Sequence, residues 1–315
     1  MKTLNIIGAG KLGRTLGRLW QERGFFEVQT VCNRSLKSAL TAVRFIGAGK
    51  AAGSIGEMPA ADCWLIASGD RQIAALATEL ANHLHSLAVT NSRAPGHSDD
   101  DHTAANRKTN DSRTDRPVVF HCSGALGSSV LAPCRPAAIA SAHPVHSFAD
   151  PARSVATLAG TAVAVEGDSD ALTVLNDAFG ALGCRTLAIA SEHKSLYHAG
   201  SVFACNYMTA LMDLSLQCFA AAGIDEAEAL SLLQPIVLQT ARNNLELGPA
   251  ASLTGPIARG DTATVASQLK AVAGTSPLLA ANYRQLGLAC VELARRGDLP
   301  AEIAEQLNAL LNGSH

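Results

Sequence analysis

The sequence has no surplus of charge of either sign. Its 315 residues carry 25 Lys+Arg against 27 Asp+Glu, a formal net charge of -2. A concentrated basic surface is needed to hold a nucleic-acid backbone or an anionic membrane, so neither is an expected partner and small molecules are. The eight cysteines contain no C-x-x-C pair and no His/Cys cluster at metal-ligand spacing. No metal site is therefore expected, and reduced, mostly buried thiols of a cytoplasmic protein are. Aromatic residues are scarce, at 4%. Long apolar runs are missing too: Ser195 to Ile224, the most apolar stretch, is broken by His198, Asn206, Asp213 and Gln217, whereas a membrane span needs about 20 predominantly apolar residues. The first residues enter a strand pattern at once and lack the apolar core and small-residue cleavage site of a secretory signal.

What is present is 48% hydrophobic residues over a length that suits two domains. Short apolar runs alternate with helical patterns: strands at 4–7, 28–32, 63–67, 117–121, 137–142, 161–165 and 186–190, with helices at 11–23, 36–46, 71–83 and 171–182. That alternation predicts an α/β class, a doubly wound, Rossmann-like sheet. Strand signals stop near 190, and helices follow at 192–222, 226–247, 262–273, 277–296 and 300–311. Residues 1–190 are thus expected to form the nucleotide-binding domain and residues 191–315 an all-α domain. Ser92 to Arg116 interrupts the first domain with five basic residues, five acidic residues and only three apolar ones. It reads as a mobile polar insertion that cannot bury enough surface to offset its ordering entropy. Its His97, Asp99 to Asp101 and His102 resemble a metal site less than a solvated loop.

Gly8-Ala9-Gly10-Lys11-Leu12-Gly13 is G-x-G-x-x-G, placed directly after a strand and opening a helix. There the first glycine permits the tight turn, the second lets a pyrophosphate approach the backbone, and the third lets helix and strand pack closely. NAD binding would place an acidic residue at the end of the second strand, but Cys32-Asn33-Arg34-Ser35 stands there. Arg34 offers a planar cation for a 2'-phosphate, with Asn33 and Ser35 adding hydrogen bonds, so the expected cofactor is NADP(H). Ser68-Gly69 ends another strand at the same edge and should line the cofactor, while Asp70 either joins them or caps the next helix.

Three further segments carry polar groups towards that edge. Ser123, in His121-Cys122-Ser123-Gly124-Ala125, can hydrogen-bond a substrate, but no nucleophile elbow surrounds it. His143-Pro144-Val145-His146 brings two imidazoles, which either bind substrate or serve as structural hydrogen bonders. Lys194 and His198 are i and i+4 on one helix, with Asn206 two turns beyond His198 and about 80° round it at 3.6 residues per turn. These three are the catalytic candidates, a proton donor and a substrate anchor; the plainer reading pairs them with the other domain as satisfied core groups. Arg259, in the loop Leu253-Thr-Gly-Pro-Ile-Ala-Arg-Gly-Asp261, can pair a substrate carboxylate, while Gly260-Asp261 caps the next helix.

Four of these stretches carry a resemblance. His121-Cys-Ser-Gly-Ala-Leu-Gly, His143-Pro-Val-His-Ser-Phe-Ala-Asp, Tyr197-His-Ala-Gly-Ser-Val-Phe-Ala-Cys-Asn-Tyr and the 253–261 loop resemble a family of predicted NADP-dependent oxidoreductases. That family joins a Rossmann-like domain to a helical C-terminal domain of unknown function. The wider group includes ketopantoate reductase, pyrroline-5-carboxylate reductase, prephenate dehydrogenase and the hydroxyisobutyrate and 6-phosphogluconate dehydrogenases. The resemblance implies a homodimer formed through the helical domain, which also completes the active site. Asn206-Tyr-Met-Thr-Ala-Leu is similar to the ketopantoate reductase segment with a substrate-binding Asn. In that register His198 stands in place of the catalytic Lys, with Lys194 one turn earlier. His143-Pro144 is similar to a short motif of prephenate dehydrogenase. The function implied is hydride transfer between NADP(H) and the C=O or C=N of a small carboxylate-bearing substrate. The alternatives are a non-catalytic NADP(H) sensor and a deazaflavin-linked NADP oxidoreductase.

Overall fold

The computed structural model describes residues 1–92 and 116–313. All but the two end residues of the segment 92–116, including its His97, Asp99 to Asp101 and His102, lie outside the described residues. The chain divides into two compact units, Met1–Val202 and Phe203–His315.

The first unit runs β1 (Lys2–Ile7), α1 (Lys11–Glu22), β2 (Phe26–Cys32), α2 (Leu36–Ile46), β3 (Lys50–Ala52), β4 (Cys63–Ile66), α3 (Asp70–Ser92), β5 (Val118–His121), β6 (Ala138–Pro144), α4 (Pro151–Thr157), β7 (Ala162–Gly167), α5 (Ser169–Gly180), β8 (Arg185–Ala188) and α6 (Lys194–Ser201). Its eight strands lie in the order β3-β2-β1-β4-β5-β6-β7-β8. All neighbours are parallel except β6 and β7. This is the Rossmann-like sheet that the alternation of elements predicts. The central strands β4 and β5 are buried along their whole length, because helices cover both faces of the sheet. One face packs Leu16, Leu19 and Trp20 of α1 against α5, where Trp20 Nε1 donates to the Ala178 carbonyl at 2.8 Å. The rings of Phe26 and Phe179 stand edge-on to that indole, each at 5.3 Å. On the other face, Ile73, Ala77 and Leu80 of α3 pack with Leu131 and Cys134.

Chain order reverses direction across the sheet between β1 and β4, so the loops leaving their carboxyl ends diverge and open a crevice there. β1 and β4 end in register, Ile7 opposite Ile66, and β5 ends alongside them with His121 opposite Ile66. Strand β6 continues past that edge to Pro144, carrying His143 beyond it.

The second unit holds α7 (Tyr207–Ala221), α8 (Glu226–Leu247), α9 (Pro249–Ser252), α10 (Thr262–Thr275), α11 (Pro277–Ala294) and α12 (Ala301–Asn312). Val265, Val291, Ala304, Leu307 and Leu311 form its core. Helix α7 buries no residue and α8 only Ala229, leaving Leu211, Leu232, Ile236 and Leu238 exposed. Among the described residues, no helix is long and apolar enough to cross a membrane.

Two features differ from the sequence expectation. The division between units falls at 202/203, after α6 rather than at residue 190; α6 stays with the sheet because Lys194 is hydrogen-bonded to β5–β6 groups. The single helix expected over 192–222 is instead a 3-10 turn, α6, a π-helical turn at Val202–Asn206, and α7. A π turn widens the helix to i→i+5 bonding, so the 80° between His198 and Asn206, derived for 3.6 residues per turn, does not hold.

Candidate active site

The turn after β1 is built from its glycines. Gly8 has φ +85°, and a Cβ there would lie 2.9 Å from Ser68 N and 3.1 Å from the Ala67 carbonyl carbon, so strand ends β1 and β4 can close only without a side chain. A Cβ on Gly13 would lie 2.9 Å from Ala67 Cβ, which makes this glycine the contact of helix and strand. Gly10 is different, because nothing lies within 4 Å of its Cβ position. It is the N-cap of α1, with no side-chain cap and no acidic residue in the first turn. The Lys11, Leu12 and Gly13 amides therefore begin a helix whose partial positive charge is uncompensated. The Lys11 side chain is exposed, while Leu12 packs on the sheet core.

A groove of about 840 Å³ fronts this turn, lined by Gly8, Ala9, Gly10, Arg14, Asn33, Arg34, Ser38, Ser54, Ser68, Gly69 and Arg71 among others. Asn33 Oδ1 accepts from Ala9 N at 2.7 Å, so its carbonyl ties β2 to the glycine turn rather than facing a ligand. Ser35 is the N-cap of α2, accepting from Ser38 N, and does not line the groove. Arg34 does line it, joined by Arg14 and Arg71, which the sequence reading missed. Their signal was available: Arg14 is one residue past the glycine motif, and Arg71 follows Ser68-Gly69-Asp70 in the first turn of α3. Among the described residues none of the three arginines has a carboxylate within ion-pair distance. Three unpaired guanidiniums, an uncapped helix and a backbone open at Gly10 suit a dinucleotide with several phosphates.

A second cluster, on β5, β6 and α6, lies wholly within the first unit. Lys194 is fully buried, and its Nζ donates to the Ser123 carbonyl at 3.2 Å and to Ser141 Oγ at 2.8 Å. Burial lowers its pKa, against the opposing pull of Glu166, Cys122 and Asp70. Ser123 Oγ accepts from the amides of Ala125 (3.2 Å) and Leu126 (3.0 Å), and Ser123 N donates to His121 Nδ1. His121 Nε2 meets the Gly127 carbonyl, so both nitrogens of this imidazole are used in shaping the loop. Burial pushes its pKa down to about 4 and that of Cys122 up to about 12, leaving a neutral imidazole and a thiol that is no nucleophile.

In front of this loop stand two imidazoles. His143 and His198 have ring centroids 5.6 Å apart, and a Cβ on Gly124 would collide with His198 Cδ2 and lie 2.9 Å from His143 Nε2. Lys194 and His198 thus both address the 123–124 loop, one behind it and one before it, as i,i+4 spacing allows. Tyr197, unmarked by the sequence reading, brings its hydroxyl to 3.1 Å from His143 Nδ1. Burial, then the charges of His198 and Lys194, lower the His143 pKa to about 4. His146 turns elsewhere, to Thr157 Oγ1 at 3.3 Å and the Phe148 ring. Asp70 opens α3 and, through its charge, opposes the pKa lowering of His121, His143 and Lys194.

The remaining sequence candidates belong to the second unit. Asn206 ends the π turn with its residue exposed. Arg259 is exposed on a loop whose Asp261 caps α10 by accepting from Thr264 N and Thr264 Oγ1.

Residues 161–290 match the family described as a domain of unknown function, DUF2520. No curated protein matches the chain. Solved structures share the fold over nearly the full length. A Bacteroides fragilis protein named as a candidate NADP oxidoreductase is 19% identical, with TM-score 0.71 over 94% of this chain and 98% of that one. A Thermotoga maritima protein is 23% identical, with TM-score 0.64 over 93% and 98%. The pyrroline carboxylate reductase of Plasmodium falciparum, solved with NADP bound, is 11% identical, with TM-score 0.56 over 98% of each chain. The chain thus has the two-part fold, Rossmann-like sheet then helices, found in NADP oxidoreductases and pyrroline-carboxylate reductases.

Proposed function

We propose that the protein is an NADP(H)-dependent oxidoreductase that transfers a hydride between nicotinamide and the C=O or C=N of a small carboxylate-bearing substrate. The observation that carries the reading is the groove at the glycine turn, where Gly10 leaves open space and Arg14, Arg34 and Arg71 present cations without carboxylate partners among the described residues. Gly8, Ala9 and Gly10, whose amides are bonded to the Cys32 carbonyl, Asn33 Oδ1 and the Gly8 carbonyl, shape the turn; Lys11, Leu12 and Gly13 offer the free helix amides to the pyrophosphate, and Ser68 and Gly69 form the opposite lip. Arg34 takes the 2'-phosphate, with Asn33 and Ser35 fixing the loop that carries it.

Bound NADPH would supply the hydride at nicotinamide C4. The chain must then supply a proton beside the arriving hydride and hold the reacting oxygen or nitrogen. His198 and His143, packed together against Gly124, are the groups for that task. Lys194 is spent on Ser123 and Ser141, so it serves by shaping the loop and by its charge. Asn206 and Arg259 are the polar groups that the second unit offers to substrate. The uncovered apolar side chains of α7 and α8 support a homodimer formed through that unit.

The test is NADPH binding followed by NADPH oxidation against 2-oxo acids, imino acids and aldehydes. Oxidation with at least one class is expected. Binding without oxidation replaces the enzyme by a cofactor sensor, and absence of binding removes both.

A further inference from the structure

Two imidazoles of the first unit, the buried His121 and the half-buried His143, are bonded in different ways. His121 uses both ring nitrogens within the protein, Nδ1 towards Ser123 N and Nε2 towards the Gly127 carbonyl. His143 uses one. Its Nδ1 lies 3.1 Å from Tyr197 Oη, and among the described residues its Nε2 has no hydrogen-bond partner. That nitrogen lies against the Gly124 backbone: the position a Cβ would take there is 2.9 Å from it and overlaps His198 Cδ2, so the two imidazoles fill the room a side chain would need.

A neutral imidazole carries a single N–H, and the nitrogen that bears it is decided by what the other nitrogen meets. His143 is neutral near pH 7 because burial and the neighbouring His198 and Lys194 oppose its protonation. Burial also raises the Tyr197 pKa, so the phenol keeps its proton. Between a phenol and an imidazole the phenol is the better donor and the ring nitrogen the better acceptor. The Tyr197 O–H therefore donates to Nδ1, and the proton of His143 resides on Nε2. The partners come from separate elements, β6 and α6, with their rings edge-on at 5.8 Å and 88°, so the bond also sets the tilt of the imidazole.

We propose that Tyr197 is a positioning residue that locks His143 as the Nε2–H tautomer and holds this N–H beside Gly124 and His198, where it donates to a carbonyl oxygen or imine nitrogen of the substrate. The ligand chemistry rests on the reductase reading above; the tautomer lock does not. A neutral imidazole can polarise such an acceptor without transferring its own proton. The proton that completes reduction then comes from another group, and the His198 ring stands 5.6 Å from that of His143.

The test uses the full chain with nitrogen-15-labelled histidine, free of ligand, at pH 7. The His143 signal, assigned by its loss in His143→Gln, should show a protonated Nε2 and an unprotonated, hydrogen-bonded Nδ1. In Tyr197→Phe, which removes only the hydroxyl, His143 should relax to a mixture of tautomers while His121 stays unchanged. A wild-type His143 protonated on Nδ1, or a tautomer unaffected by Tyr197→Phe, overturns the proposal, and the wild-type result stands even where the variant fails to fold. With a reducible substrate in hand, Tyr197→Phe should lower kcat by roughly tenfold or more while NADPH affinity stays within about twofold. Unchanged kcat overturns the role towards substrate. Failure of every carbonyl and imine to react overturns the reductase reading, while the tautomer measurement still decides the lock.

Discussion

Gly8 and Gly10 are two residues apart, yet replacing each by Ala should change stability by very different amounts. At Gly8, φ is +85° and an added Cβ would lie 2.9 Å from Ser68 N and 3.1 Å from the Ala67 carbonyl carbon. Left-handed backbone costs a non-glycine residue about 1–2 kcal/mol. The clash adds about 1–3 kcal/mol: Ser68 Oγ would be displaced, and the other partners are backbone atoms tied in place by the 2.8 Å bond from Ala67 N to the Ile7 carbonyl. Gly8→Ala is therefore destabilising by about 2–5 kcal/mol. At Gly10, φ is -68° and nothing lies within 4 Å, so the entropy gain of about 0.4–1 kcal/mol from Ala is offset by the loss of a glycine N-cap, and stability should change by less than about 1 kcal/mol. Ligand binding singles out Gly10. NADPH at one hundred times its Kd should stabilise the wild type by about 2.7 kcal/mol; a hundredfold weaker Gly10→Ala would retain only about 0.4 kcal/mol. Denaturant unfolding of the three proteins with and without NADPH measures every quantity in this comparison. A Gly10→Ala protein that keeps the full NADPH-induced shift would refute the placement of the pyrophosphate at this turn.

Three other perturbations probe the neighbouring groups. Arg34→Gln should weaken NADPH about ten- to a hundredfold, as loss of a charge-assisted hydrogen bond of roughly 1.5–3 kcal/mol implies, and leave NADH nearly unchanged; equal losses in a titration of both cofactors would remove Arg34 from the 2'-phosphate. His121 has its pKa lowered from 6.5 to about 4 in the folded chain. The unfolded chain thus binds the proton first, and stability falls as pH drops from 6.5 to 4, by up to about 3 kcal/mol, with His143 acting in the same direction. His121→Gln should flatten that stretch of the stability–pH curve, and an unaltered slope would count against a buried neutral His121. Gly124→Ala places a Cβ 2.9 Å from His143 Nε2 and 3.0 Å from its Cε1. Displacement of the rings should lower thermal stability by about 1–3 kcal/mol and suppress turnover without affecting NADPH binding, whereas wild-type turnover would place the substrate elsewhere.

Much of the first unit was legible because its signals are local. Strands β4 and β5 read as continuous apolar runs since both faces of the sheet are covered. Helices α2 and α8 are bounded as expected, residue for residue, because each carries its own stop signals. Ser35 and Asp225 cap their starts, and Gly47 and Gly248, at φ +84° and +81°, end them. Strand β3, three residues long, leaves no periodicity to detect, and the antiparallel direction of β7 is a property of its neighbours. Helix α4 was missed as well, although Asp150-Pro151 is a recognisable start.

The glycine turn and the basic residue after β2 were determined by sequence alone, because their physics lies within a few residues: a positive φ, an uncapped helix, a guanidinium at a strand end. The polar cluster was not. Lys194 reads on its helix as a cation available to a substrate, but its acceptors, Ser123 and Ser141, lie 71 and 53 residues earlier in the chain. Tertiary structure decided that its ammonium is consumed behind the loop. It also decided that His143 keeps one nitrogen free, because a tyrosine from α6 reaches the other. A buried polar group takes its role from the partners that folding brings to it, and those partners are set by the packing of β5, β6 and α6 rather than by spacing along any one of them.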